Sequence, residues 1–221
     1  MSPSKPIAIV TGGSRGLGRS TVIALAKRGV RSIFTYHSNA AEAEKVVALT
    51  RLGAERFDYL VNNAGDSHNN LIEKTTEAEL DHVFAVHFKG PFFLTQKLLP
   101  LMNDGGRIVN LSSGLARFSY PGRASYASMK GAIEVLTRYL AKELGPRGIA
   151  VNTVAPGAIA TDFSGGAVRD NPEFNKAVAS ATALGRVGLP DDIGPMIAAL
   201  LGDENRWINA QRIEVSGGMN I

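Results

Sequence analysis

The sequence predicts an α/β fold built on one parallel sheet, and three observations carry that prediction. Short apolar runs alternate with helical patterns from one end of the chain to the other. A glycine cluster stands between the first apolar run and the first helical pattern. No internal repeat, low-complexity stretch or linker divides the 221 residues, so one domain over 1–221 is expected. Strands separated by helices pair in parallel, because each crossover helix must pack back onto the sheet.

The elements follow in order. "IAIV" (7–10) is a buried-strand run, and "RSTVIALAKRG" (19–29) has helical periodicity. "RSIFTY" (31–36) is a second strand and "AAEAEKVVALTRL" (40–52) a second helix. "FDYLVNNAG" (57–65) reads as a strand ending in a turn, followed by one long helix over 77–102. "GRIVNLSS" (106–113) is a strand, and 124–145 is a helix that Gly145 ends. "IAVNTVAPG" (149–157) and "RIEVSGG" (212–218) are the last two strands. Residues 161–190 are spotted with glycine and proline, which suits a lid or substrate loop after a strand.

Composition narrows the function classes. The chain is 44% hydrophobic and 20% charged, which suits a packed core and argues against disorder. Having no cysteine excludes disulfides, thiolate metal sites and cysteine nucleophiles. Net charge is +4, but the basic residues are scattered, so neither a nucleic-acid nor a membrane patch is expected. The opening "MSPSKP" carries no apolar core of a signal peptide, and no apolar run reaches the ~20 residues that span a bilayer. A cytoplasmic protein is the expectation.

The glycine cluster carries the first chemistry. "IAIVTGGSRGLGRS" sets Gly12, Gly16 and Gly18 between strand and helix, with Ser14, Arg15 and Leu17 among them. Glycine allows a tight turn and a close approach of backbone to ligand. The helix N-terminus behind the turn offers free N–H groups to a pyrophosphate. Placed in the first βα unit, this is the context of a dinucleotide site, and the fold becomes a doubly wound, Rossmann-type sheet flanked by helices.

The spacing T-G-x-x-x-G-x-G resembles the cofactor motif of the short-chain dehydrogenase/reductase family, and further motifs extend the resemblance. "NNAG" (62–65) is similar to the family's motif after its fourth strand. Ser113, Tyr126 and Lys130 keep its catalytic spacing of 13 and then 4. "PGAIAT" (156–161) is similar to its P-G-x-x-x-T motif, and "RIEVSGG" to its last strand. The pattern, including "GRVGLPDDIG", looks closest to the 3-oxoacyl-carrier-protein reductases.

The resemblance implies an oxidoreductase that interconverts a carbonyl and a secondary alcohol, with a small-molecule substrate. Tyr126 would be the general acid/base, Lys130 would lower its pKa and hold the nicotinamide ribose, and Ser113 would orient the substrate. Tyr126 and Lys130, four apart on a helix, share a face, and a nearby ammonium favours a phenolate. Ser112 breaks the spacing and is not chosen. Cofactor contacts would come from Gly12, Ser14, Arg15, Gly16, Leu17 and Gly18, then Tyr36 and Ser38. Asn63, Ala64, Gly65, Pro156, Gly157, Ile159 and Thr161 complete the set. Substrate would lie near Gly114, Leu115 and Gly157, with Phe118, Phe163 and Phe174 as apolar contacts. A homo-oligomer, tetramer or dimer, would pair the 77–102 and 124–145 helices.

The position after the second strand decides between nicotinamide cofactors. An NAD-preferring enzyme places a carboxylate there to hold the ribose 2′-OH. This chain has Tyr36, with Arg15, Ser38 and His37 available to a 2′-phosphate, so NADP(H) is expected.

Two departures stand out. His87 replaces the asparagine that holds a relay water in the family, and histidine can titrate near neutrality. The chain also runs from the second helix almost directly into "LVNNAG". The third strand and following helix of the family, roughly 25 residues, are missing from it. If the second strand passes straight to the "LVNNAG" strand, the two should flank the first. Both departures favour one alternative, a non-catalytic NADP(H)-binding regulatory or scaffold protein of the same fold.

Overall fold

The computed structural model describes residues 5–35 and 56–221. Six strands form one sheet in the order β2-β1-β3-β4-β5-β6, every pair parallel. They are β1 (Ile7–Val10), β2 (Arg31–Phe34), β3 (Phe57–Asn62), β4 (Met102–Leu111), β5 (Ala150–Pro156) and β6 (Arg212–Val215). β2 and β3 lie on either side of β1. Among the described residues β2 is the edge strand; the second helix expected at 40–52 lies outside them, as do Tyr36, His37 and Ser38.

Alternation along the strands builds two cores, because successive side chains point to opposite faces. Ile7, Ile9, Leu60 and Ile108 face one side, with Leu94, Leu98 and Leu144. Ala8, Val10, Val61 and Val109 face the other, with Leu25, Ile193 and Ile197. The first side is covered by α3 (Gly90–Leu98) and α4 (Ala124–Leu144), the second by α1 (Gly16–Lys27) and α7 (Pro190–Leu200). A parallel sheet needs cover on both faces, which is why these strands read as near-continuous apolar runs. α1 and α7 pack closely at Gly194, where a Cβ would sit 2.3 Å from Ser20 Oγ. Ser20 donates to Asp191 at 2.7 Å across the same contact.

The single helix expected over 77–102 is broken. α2 (Glu77–Phe84) starts on a capping box between Thr76 and Glu79. A π-helical turn follows at Ala85–Lys89, then α3 and a 3₁₀ turn at Leu99–Leu101. Met102 already belongs to β4, four residues before the expected strand start. The apolar periodicity of 77–102 hides these joints, because π and 3₁₀ turns keep most of the same face inward.

The 161–190 segment is not a plain loop. A 3₁₀ turn (Phe163–Gly166), α5 (Ala167–Asp170) and α6 (Pro172–Ser180) occupy it. Ser164, Gly165 and Gly166 carry φ values of 56°, 65° and 79° in succession. Left-handed backbone at a serine is costly, and here it accompanies a turn that sets the Phe163 ring 6.0 Å from that of Tyr126 at the cleft.

A buried polar ladder ties the middle strands to the helices. Asn62 donates to Thr95 Oγ1 (3.2 Å) and Asn110 Oδ1 (2.8 Å). Asn110 donates to Thr137 Oγ1 (2.9 Å), and Thr153 donates to the same hydroxyl at 2.7 Å. Asn62 Oδ1 alone among the side-chain oxygens of this ladder has no partner.

Candidate active site

Loops at the carboxyl ends of β1, β3, β4 and β5 open onto one cleft of about 640 Å³. Ligands of doubly wound sheets bind at this edge.

The glycine turn forms one end. Gly12 and Gly16 adopt φ of 67° and 52°, which favours glycine at both. Gly18 lies inside the first turn of α1, and a Cβ there would sit 2.2 Å from Gly12 O. Asn63 fastens the turn, donating through Nδ2 to Thr11 O (2.8 Å) and Gly12 O (3.2 Å). Thr11 Oγ1 in turn accepts from the backbone N–H groups of Asn63 and Ala64, both at 2.9 Å. The N-terminus of α1 has no side-chain cap and no acidic residue in its first turn. Its free N–H groups therefore fit a pyrophosphate. A turn that a Cβ would fill, opening onto a cleft, fits a dinucleotide.

Of the sequence-predicted cofactor residues, Gly12, Ser14, Arg15, Gly16 and Leu17 line the cleft. So do Asn63, Ala64, Gly65, Pro156, Gly157, Ile159 and Thr161. Gly18 does not; it is buried beneath the turn, where it permits the close packing. Tyr36 and Ser38 lie outside the described residues.

Ser113, Tyr126, Lys130 and His87 converge on the same cleft. Tyr126 and Lys130 share the inward face of α4, and both are buried. Lys130 Nζ donates to Leu111 O at 2.8 Å and lies 5.5 Å from the centre of the Tyr126 ring. Burial lowers the Lys130 ammonium to about 8, opposed by the charge of Asp66. The expected depression of Tyr126 is not found. Burial raises its phenol to about 12, against the Ser113 hydroxyl and the charge of Arg123, which favour the phenolate. The reason is geometric: the ammonium is anchored to a carbonyl under the ring rather than beside the hydroxyl.

The adjacent serines divide their work. Ser113 is half-buried, lines the cleft and accepts from Leu115 N at 3.2 Å. Ser112 is buried and donates to Glu134 at 2.6 Å. Glu134 also accepts from Arg212 (2.8 Å), which donates to Glu214 (2.8 Å). Arg117 forks onto Glu214 (2.7 and 2.8 Å) and holds Met219 O (2.8 Å) and Asn220 O (3.0 Å). This network brings Met219 to the cleft wall.

Phe118, Phe163 and Phe174 line the cleft as expected, beside Gly114, Leu115 and Gly157. Tyr120, Arg123 and Met219 join them, and sequence reasoning missed all three. It also missed Asp66. This carboxylate accepts from His82 Nε2 at 2.7 Å and lies 3.3 Å from His87 Nε2. His87, chiefly, holds it down at about 2, and His82 adds to the effect. The direct succession "AGD" after a strand was the available signal.

Comparison with known proteins places this site. Residues 38–220 match the family model described as enoyl-(acyl carrier protein) reductase. A 3-oxoacyl-[acyl-carrier-protein] reductase FabG of Staphylococcus aureus is 35% identical, over 96% of this chain and 97% of its own. An NADPH-dependent aldehyde reductase-like protein, chloroplastic, of Arabidopsis thaliana is 36% identical over 96% of this chain and 93% of its own. Among solved structures, the reductase LugOII, which catalyses keto-reduction at C1 in lugdunomycin biosynthesis, superposes with a TM-score of 0.89. It is 35% identical, and the match covers 98% of both chains. Motifs, topology and relatives agree: the chain belongs to the short-chain dehydrogenase/reductase family, enzymes that act on carbonyl and alcohol groups with a nicotinamide cofactor.

Proposed function

We propose that this protein reduces a carbonyl to a secondary alcohol, or runs the reverse, with NADP(H) in preference to NAD(H) and Tyr126 as general acid/base. One observation carries the reading: Tyr126, Lys130 and Ser113 meet in the cleft that the glycine turn opens. When bound, the nicotinamide supplies or accepts the hydride.

The chain's residues do the rest. The α1 N-terminus and the glycine turn hold phosphate. Ser113 donates a hydrogen bond to the substrate oxygen, and Tyr126 gives that oxygen its proton. Burial keeps the phenol protonated until a developing alkoxide draws the proton away. The Lys130 ammonium stabilises the phenolate left behind, since opposite charges attract strongly in a buried site. Phe118, Phe163 and Phe174 favour an apolar substrate body, and β-keto esters and aromatic ketones fit that description. Arg15, exposed at the cleft mouth, is the described residue available to a 2′-phosphate.

A homo-oligomer belongs to the same reading. The rings of Phe84, Phe88, Phe92 and Phe93 touch in series along α2 and α3, the first pair stacked and the last edge to face, and Phe84, Phe92 and Phe93 are exposed. Val135 and Tyr139 are exposed on α4. Apolar faces of this kind pair between subunits.

The test is Tyr126→Phe assayed for NADPH-dependent reduction of a ketone panel. A loss of roughly 10²–10⁴-fold in turnover with NADPH binding retained supports the reading. Unchanged turnover refutes it. Absence of turnover in the parent protein, with NADPH bound, would instead favour the non-catalytic reading.

A further inference from the structure

Each carbonyl reduction takes one proton from Tyr126, which is buried and faces a cleft that the substrate fills during turnover. Something must return that proton. His87 is the nearest titratable group behind the pair formed by Tyr126 and Lys130. Its ring meets Tyr126 edge to face, with centroids 5.0 Å apart and planes at 85°. It lines one small internal void with Lys130, Asn62 and Asn110. Its side chain is 1% exposed, yet neither ring nitrogen makes a hydrogen bond. A buried imidazole with unmet nitrogens costs on the order of 1–3 kcal/mol, so its place needs a reason.

The structure supplies one. Gly65 makes room for the ring, since a Cβ there would sit 2.7 Å from His87 Cε1. The 3.3 Å from His87 Nε2 to Asp66 Oδ1 is within reach of charge attraction, though the two do not form a hydrogen bond. The other Asp66 oxygen meets His82 Nε2 at 2.7 Å, and the His82 side chain is 59% exposed. Buried phenol, buried imidazole, half-exposed carboxylate and exposed imidazole thus run in a line from cleft to solvent.

We propose that His82, Asp66 and His87 form a side-chain proton relay that reprotonates the Tyr126–Lys130 pair; the inference rests on the carbonyl-reductase reading above. The proton balance is simple. Solvent protonates His82. As Asp66 accepts the His82 Nε2 proton, that N–H bond breaks and an O–H bond forms. Lys130 Nζ–H protonates the Tyr126 phenolate; Asp66 then gives its proton to His87 Nε2 after a small rotation of the ring, and the His87 Nδ1–H bond breaks as that proton goes to the neutral Lys130 amine across the void the two share. Oxidation of an alcohol runs the same steps backwards. No electrons move along the path.

The charges around the line are few. Asp66 and Lys130 face His87, and the two act in opposite senses on it, while burial lowers its pKa. His82 and His87 face Asp66. Arg123 faces Tyr126 from the start of α4. His68 and Glu79 form a separate pair at 3.5 Å, with His68 Nδ1 2.8 Å from Ser125 Oγ. A neutral His87 at rest suits a group that must accept a proton.

Three relay residues allow a discriminating test. Asp66→Asn and His82→Gln are compared with the parent protein in NADPH-dependent reduction of ethyl acetoacetate, at low buffer concentration. Asp66→Asn should lower kcat about 10-fold or more with KM little changed. His82→Gln should lower kcat several-fold, and imidazole buffer should restore it. Both should enlarge the solvent deuterium isotope effect on kcat. Two variants that melt like the parent and turn over with its isotope effect overturn the relay. A parent protein that binds NADPH but reduces no ketone overturns the functional reading instead.

Discussion

Glu214→Gln is expected to destabilise the fold in a pH-dependent way. The Glu214 carboxylate takes four hydrogen bonds: two from the Arg117 fork, one from Arg212 and one from Ser216. Its side chain is 18% exposed. Arg117 above all, with Arg212 and Ser216, holds the carboxyl down at about 2, from an ordinary 4.5. That difference corresponds to on the order of 3 kcal/mol of stabilisation at neutral pH. The folded-state pKa is depressed, so the stabilisation is present above the ordinary value and lost as pH falls toward about 2. Half of it should be gone near pH ~3, midway between the two values. The glutamine keeps the shape and removes the charge. Urea unfolding at pH 7 should show a loss of about 2–3 kcal/mol, a drop in melting midpoint of roughly 4–12 °C. The same pair compared near pH ~3 should differ by about half as much. A difference that stays constant across that range, or never exceeds about 0.5 kcal/mol, refutes the argument. Arg117 also holds Met219, so KM for the ketone should rise more than the Kd for NADPH.

Other perturbations probe the cofactor end and the core. Gly18→Ala puts a Cβ 2.2 Å from Gly12 O, so the turn must open and NADPH should bind about 10-fold more weakly by calorimetry. Arg15→Ala should weaken NADPH roughly 10-fold or more and leave NADH almost unmoved; equal losses for both would sink the assignment of Arg15 to the 2′-phosphate. Asn62→Leu leaves Asn110 Oδ1 without its donor inside the sheet and should cost about 1–3 kcal/mol in urea unfolding.

The six strands were legible because each carries its signal within a few residues. Ile7 to Val10 is apolar on both faces, and Val151 and Val154 put one apolar side chain on each, a pattern that a covered parallel sheet wants. The glycine turn was legible for the same reason: Gly12, Gly16 and Gly18 answer to local φ and local clearance. The break at Ala85–Lys89 was not legible, since Phe84 to Leu98 keep an apolar rhythm through it. Nor was the true start of β4, where Met102 leaves a 3₁₀ turn straight into pairing with Phe57.

Spacing in the chain determined which side chains could act: a serine, a tyrosine and a lysine in family order, and a histidine where asparagine is usual. Tertiary structure decided what surrounds them. It put Lys130 under the Tyr126 ring, anchored to Leu111, and buried the phenol, so that burial outweighs Ser113 and Arg123 and the phenol rises instead of falling. It also brought Asp66 between His82 and His87, from a turn and two separate segments. Backbone conformation answers to neighbours in sequence, which the sequence displays. Solvation and charge answer to neighbours in space, and those exist only once β3, α2 and α4 have packed together.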